Sequence, residues 1–267
     1  MRKYSLIIIA ALVVVFFDAC CPPETKNTNV FRIIHNNDGT DLFGNHWFNS
    51  RPLTFADLDE CVSMIAGTQV TTFMMCSGSE LLYYRSAYEK LFGDDLNGTV
   101  NCGEDTKDYE DARNYYRNQM FLEKEGTDII AATLGMAKEK GMETFITYRM
   151  NDLHFADTAT VCPIWYAGSF WRAHPEYWTN DSTQGWHSAG ALDFSHKEVR
   201  DRKLAIISEQ LDKYDMIDGF DLDFMRFIVY FKDGEGEKKE NTEAMTQLVK
   251  DINARTPTHA ERLRLYK

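Results

Sequence analysis

Residues 217–226 read Ile217-Asp218-Gly219-Phe220-Asp221-Leu222-Asp223-Phe224-Met225-Arg226, an apolar and β-prone run interrupted by carboxylates. In a strand, side chains two positions apart share a face and stand about 7 Å from each other. The spacing therefore predicts that Asp221 and Asp223 point to one side and Leu222 and Phe224 to the other. Two like charges held that close and away from water raise the proton affinity of one of them, and a carboxyl that keeps its proton near neutral pH can act as a general acid. The plainer alternative is a polar network that organises the end of a sheet without chemistry. Arg226 closes the run as a cation beside the pair.

A second cluster, Arg149-Met150-Asn151-Asp152-Leu153-His154, brings a guanidinium, an amide, a carboxylate and an imidazole within six residues. Such a set can grip several hydroxyls at once. Asn36, Asn37 and Asp38 follow an earlier β-prone run and fall on the same rim if the strands are parallel. The third feature is aromatic: Trp165, Tyr166, Phe170, Trp171, Tyr177, Trp178 and Trp186 sit in one stretch. Most are expected to pack that stretch's own core, with Trp171 the one chosen to stack on a sugar face. His35, Asp152, His154 and Asp221 have the types of a metal site, but no His-x-Glu or His-Glu-x-x-His spacing accompanies them, so neither a metal nor a cofactor is assigned.

The elements that position these residues alternate. Val30–His35 reads as a strand ending in Asn36-Asn37-Asp38-Gly39, and Thr54 as the N-cap of a helix carrying Leu58, Val62 and Ile65 up to Gly67. Gln69–Cys76 is strand-like, and 77–126 a long polar excursion. A helical stripe of Ile129, Ile130, Leu134 and Ala137 stops at Gly141, and Glu143–Met150 is the next strand. A second excursion spans 155–194. A helix from His196 to Lys213 follows, with Val199, Leu204, Ile207 and Leu211 inward, then a strand over Met216–Phe224. Past a turn near 233–240 comes a further helix, and Arg262–Tyr266 resembles a fifth strand. Strand–helix alternation with long loops after the strands predicts an α/β fold with a parallel sheet, a (β/α) TIM-type barrel of which about four to five of eight βα units are present. Functional residues then gather at the strands' C-terminal ends. A doubly wound sheet is the alternative, but no G-x-G-x-x-G or Walker-type loop follows a strand.

Of 267 residues, 29 are Lys or Arg and 41 Asp or Glu, a formal net charge of −12 that argues against a nucleic-acid partner. Arg2 and Lys3 precede the apolar run Leu6–Phe17, too short for a spanning helix of about 20 residues and suited to an export signal. The Cys20-Cys21 pair beyond it resembles a lipoprotein signal, with Cys20 the favoured lipidation site. This divides the chain into a signal over 1–19, a tether over 20–29 and a domain over 30–267. The remaining cysteines, Cys61, Cys76, Cys102 and Cys162, show no metal spacing and read as buried thiols.

Four blocks taken together, Arg149–His154, Phe170-Trp171-Arg172-Ala173-His174-Pro175-Glu176-Tyr177-Trp178, Ala191-Leu192-Asp193-Phe194 before Val199-Arg200, and Asp218–Phe224, resemble the family-10-like bacterial glycosyl hydrolases, exported barrel-type sugar hydrolases. The resemblance covers roughly residues 30–266. It implies a periplasmic or cell-surface lipoprotein whose partner is a poly- or oligosaccharide and whose only tie to the membrane is its lipid. Asp223 is implied as general acid and Asp221 as its electrostatic partner, with Arg149, Asp152 and His154 binding sugar. Asn151, Trp171, Arg226, Asn37 and Asp38 complete the expected binding set. Two departures stand out: the Asn-Glu pair that many barrel glycosidases carry after the fourth strand is absent, and the strands of a second barrel half are not in the sequence. The competing function is a glycan-binding surface lipoprotein without catalysis, and neither reading specifies an oligomeric state.

Overall fold

A computed structural model describes residues 31–39, 51–94, 107–153, 167–185, 188–255 and 264–266. Five strands, β1 (Ile34–Asn37), β2 (Thr72–Cys76), β3 (Glu143–Arg149), β4 (Gly219–Asp223) and β5 (Arg264–Tyr266), form one sheet in the order β1-β2-β3-β4-β5. Every neighbouring pair is parallel. Parallel neighbours need long crossovers, and helices supply them: α1 (Phe55–Ser63) between β1 and β2, α2 (Lys107–Lys124) and α3 (Ile129–Glu139) between β2 and β3, α4 (Ser169–Ala173) and α5 (Lys197–Lys213) between β3 and β4, and α6 (Lys239–Ala254) before β5. The fold is mixed α/β with a parallel sheet. Among the described residues no helix is long and apolar enough to cross a membrane.

Thr54 caps α1 as expected. The Thr54 backbone N–H and hydroxyl both donate to Asp57 Oδ2, at 2.7 and 2.8 Å, so the carboxylate at the third helical position satisfies the N–H of the capping residue. Arg51 grips the same carboxylate and holds Asp57 down to a pKa of about 2. Asp128 caps α3 by accepting from the Ala131 N–H at 2.9 Å. The stripes predicted for α1 and α3 are buried at Leu58, Val62, Ile129, Ile130, Leu134 and Ala137.

The sequence reading is corrected at three elements. β1 begins at Ile34 rather than Val30 and runs through Asn37. The polar excursion 77–126 contains the 18-residue helix α2. Its buried positions Asn114, Tyr115, Asn118, Gln119 and Leu122 have helical spacing, but three are amides, so the period is invisible to a count of apolar residues. In α5 the inward row is Val199, Arg202, Lys203, Ile206, Ile207, Gln210 and Leu211, while Leu204 sits at the margin of the core.

The sheet has two distinct faces. Residues in register on neighbouring strands point the same way, so the register places Phe73, Met75, Ile146, Tyr148, Phe220 and Leu222 on the helix side, where all but the polar tip of Tyr148 join one apolar core. The opposite face carries Met74, Cys76, Phe145, Thr147, Arg149, Asp221 and Asp223. Gly219 lies on it beside Phe145. A Cβ there would sit 1.9 Å from the Phe145 ring, so the aromatic side chain and any residue but glycine exclude each other.

Candidate active site at the strand ends

β3 and β4 run side by side with Thr147 opposite Asp221 and Arg149 opposite Asp223. The Thr147 hydroxyl donates to Asp221 Oδ2 at 2.6 Å, which fixes both side chains on the face away from the helices. Asp221 and Asp223 are half-buried, while Phe220 and Leu222 between and before them are buried, so the alternation read from the sequence is the one the strand adopts. Burial raises the Asp221 pKa above the ordinary carboxylate range; the Thr147 hydrogen bond opposes that rise and the charge of Asp223 adds to it. Asp223 does something different. Its Oδ1 accepts from the backbone N–H groups of Met225, at 2.8 Å, and Arg226, at 3.1 Å, an Asx-type turn that ends the strand.

Arg149 anchors the neighbouring strand end. Its guanidinium pairs with Asp152 at 3.1 Å and with Asp38, beyond β1, at 3.6 Å, so the ends of β1 and β3 meet through one cation. Cys76, in the row of Thr147 and Asp221, is a buried thiol pushed up to about 11 by desolvation, with the charge of Arg149 pulling the other way.

Other expected site residues have different employment. Asn37 belongs to the helix face, in register with Met75. Its amide donates to Cys61 Sγ on α1 at 3.8 Å and its Oδ1 accepts from Gly39 N–H at 2.8 Å. Asn36, one residue earlier, takes the face of Asp221. His35 stacks on Phe73 on the helix side, so it and Asp221 lie on opposite faces of the sheet. Among the described residues no group of three His, Cys, Asp or Glu is placed to hold a metal. Asn151 is 1% exposed, its carboxamide committed to the backbone of two loops. Trp171 is also sealed: its indole N–H donates to Gly190 O at 2.7 Å and its ring stacks on Trp178 at 4.2 Å. It packs the excursion, as most of that aromatic set was expected to do, and is not a sugar platform. Arg226 is exposed on the turn capped by Asp223. His154, Trp165, Tyr166, Trp186, Cys20, Cys21, Cys102, Cys162, the 1–19 segment and the tether lie outside the described residues.

Sequence reasoning missed a second set of charges, behind the sheet. Lys203 Nζ, fully buried, contacts Glu80 Oε1 at 2.7 Å and donates to Tyr148 Oη at 3.2 Å. Arg202 bridges Glu80 at 3.1 Å and Glu89 at 2.7 Å. Glu89 in turn accepts from the Ser169 backbone and hydroxyl at 2.8 and 2.6 Å and from Phe170 N–H at 3.2 Å, at the start of α4. The Tyr148 hydroxyl donates to Ser79 O. Two acids and two bases thus tie the loop after β2, the first turn of α4 and helix α5 together. The signal was there to read: Arg202 and Lys203 fall on the buried stripe of α5, where a charge demands a partner. The loop itself turns at Gly78, whose φ of +107° and closeness to Leu81 O, 2.2 Å from where a Cβ would stand, admit only glycine.

Concavities elsewhere in the described structure include the following pair. One of about 270 Å³ is lined by Tyr84, Gln119, Asp128, Lys213 and Tyr214, and a shallower one of about 600 Å³ by Tyr88, Leu204, Ser208, Glu209 and Arg255. Neither is lined by Asp221 or Asp223.

No protein-family model matches the chain, and no curated protein does. Solved structures that resemble it include a hypothetical protein from Ruminiclostridium thermocellum, 12% identical over 86% of this chain and 96% of that one with a TM-score of 0.47. A structure of the pneumococcal virulence factor StrH, concerned with N-glycan recognition and hydrolysis, is 12% identical over 88% of this chain and 52% of that one, TM-score 0.49. The GH36 α-galactosidase AgaA of Geobacillus stearothermophilus, in complex with stachyose, is 11% identical over 88% and 27%, TM-score 0.49. This chain therefore spans about half of the StrH structure and about a quarter of the AgaA structure. All three scores lie below 0.5, and the functional reading rests on the residues of this chain.

Proposed function

We propose that the protein is a carbohydrate-active member of the barrel-type glycoside hydrolases, with β1–β5 forming part of a (β/α) barrel and the substrate, a poly- or oligosaccharide, bound at the C-terminal ends of the strands. The observation that carries the reading is the pair Asp221 and Asp223 on one face of β4, at the end of an all-parallel sheet in sequential order. The general acid comes from the end of β4. Asp223 is assigned that role by its place, and Asp221, whose proton affinity burial raises, is its partner in sharing a proton. Arg149 with Asp38 and Asp152 forms the polar rim that would meet sugar hydroxyls. Hydrolysis requires carboxylates on both sides of the scissile bond, about 5 Å apart for retention and 6.5–9.5 Å for inversion. Two carboxylates on one strand side supply one flank. An export signal over 1–19 and lipidation at Cys20 belong to the same proposal, with the activity outside the cytoplasm, on the cell surface or in the periplasm.

The test is hydrolysis and binding measured on one purified sample against a panel of 4-nitrophenyl glycosides and soluble polysaccharides. Asp223→Asn is expected to abolish turnover and leave the circular dichroism spectrum intact. Undiminished hydrolysis by that variant overturns the assignment, and saccharide binding without hydrolysis by the natural protein makes it a glycan-binding surface protein.

A further inference from the structure

The loop that follows Asp223 is tied down at every corner. Asp223 Oδ1 holds the N–H groups of Met225 and Arg226. The Tyr230 hydroxyl donates back to Phe224 O at 2.9 Å, and Tyr230 O accepts from Phe194 N–H at 2.8 Å. The remaining tie comes from β3's end. Asn151 Nδ2 donates to Val229 O at 2.6 Å and to Leu192 O at 3.1 Å, while its Oδ1 accepts from Leu192 N–H at 3.4 Å. One carboxamide thus satisfies three backbone groups from segments 41 and 78 residues away, inside a small apolar cluster of Leu153, Ala191 and Val229 flanked by Phe227.

We propose that Asn151 is a positioning residue of the strand-end site: its carboxamide locks the 224–230 loop against the 191–194 segment and so fixes the direction of the Asp223 carboxylate that the same loop caps. The inference rests on the strand-end reading above and deepens it. The reasoning is one of constraint. Asp223 is oriented by two N–H groups of a turn, and a turn orients a carboxylate only as firmly as the turn itself is held. Its near end is held by β4 and its far end by Asn151 and Tyr230. The loop presents Met225 and Ile228 at 80% and 70% exposure and buries Val229, so these two contribute little to its order and the polar ties add to what Val229 and its neighbours supply. The only side chain that can replace three such contacts in that space must carry a donor pair and an acceptor on a short stem, which is asparagine's inventory.

The experiment compares the natural protein with Asn151→Asp and Tyr230→Phe by backbone hydrogen exchange and by turnover of the 4-nitrophenyl glycosides. Asn151→Asp keeps the shape but turns a carboxylate oxygen towards two carbonyls. Amide exchange at Leu192, Met225 and Arg226 is expected to speed up by about tenfold or more, the size of effect that losing one buried hydrogen bond gives to a local opening, while exchange within β3 and β4 stays unchanged. Turnover should fall in kcat with KM nearly constant, and part of it should return at a pH low enough to protonate the new acid, which can then donate. Tyr230→Phe removes one tie without adding charge and should show the same pattern, smaller, so that a failure of the first variant to fold leaves the test intact. Unchanged exchange at 225–226 in both variants, or a kcat that matches the natural protein's despite faster exchange, overturns the proposal. Absence of turnover by the natural protein on every glycoside overturns the hydrolase reading on which the inference rests, and with it the catalytic half of the claim; the exchange pattern then decides the lock alone.

Discussion

The protein holds two groups of charges on opposite sides of one sheet, and they obey different physics. Behind the sheet, Glu80, Glu89, Arg202 and Lys203 are sealed and balanced two against two. At the strand ends, Arg149 pairs with Asp38 and Asp152, and Asp221 and Asp223 on the neighbouring strand stand half in water. The first group is balanced in charge and closed to solvent, which is what a fastening requires. The second has an excess of one sign and partial solvation, which costs stability and leaves groups that can change protonation. Charge alone therefore does not mark a site. Imbalance together with access does.

The largest effect should come from breaking the sealed group. Lys203→Met leaves Glu80 with one partner in a dry interior, and losing one side of a buried pair costs about 3–5 kcal/mol; urea unfolding should show the loss. Adding Glu80→Gln to that variant should recover a good part of it, since a neutral amide facing Met is less costly than an uncompensated carboxylate. Strict additivity of the two losses would mean that the charges act independently and not as one balanced set.

Asp221 gives an intermediate effect of opposite sign. Its pKa is raised in the folded protein by burial, so the folded state binds the proton more tightly than the unfolded chain. The associated stability is fully present below the ordinary carboxylate pKa and is lost as pH rises through the raised one. Asp221→Asn can keep the Thr147 hydrogen bond and removes the charge, so thermal unfolding should show the variant gaining on the natural protein at neutral pH, with the gap closing in acid. A gap independent of pH would separate Asp221 from any proton-sharing role.

The smallest effect belongs to Asp38, 44% exposed and 3.6 Å from Arg149. Asp38→Asn should cost no more than about 0.5 kcal/mol, as exposed pairs do, and the cost should shrink further in high salt. A loss as large as that at Lys203 would erase the distinction between the two regions.

Much of the frame was legible from the sequence. Thr54 announced α1, the Ile129–Ala137 stripe announced α3, and the parallel sheet followed from strands separated by helices. The alternation Phe220-Asp221-Leu222-Asp223 is a two-residue period that only a strand explains. Helix α2 was missed because it buries Asn118 and Gln119 where a count of apolar residues expects aliphatics. Asn37, Asn151 and Trp171 were read as ligand contacts from chemical type and from their places beyond two strands and in the aromatic stretch. Their hydrogen bonds go instead to Cys61 and Gly39, to Leu192 and Val229, and to Gly190.

By itself the sequence determined which residues alternate, which helices begin where, and that two carboxylates share a side of β4, because these follow from local geometry repeated over a few residues. Only the tertiary structure decided that Arg149 is shared between Asp38 and Asp152, that Arg202 and Lys203 meet Glu80 and Glu89, and that Asn151 spans two loops. These partners are 41 to 123 residues apart in the chain, apart from Arg149 with Asp152. A polar group's role is set by whichever distant donor or acceptor the packing brings within about 3 Å, and no local period carries that information.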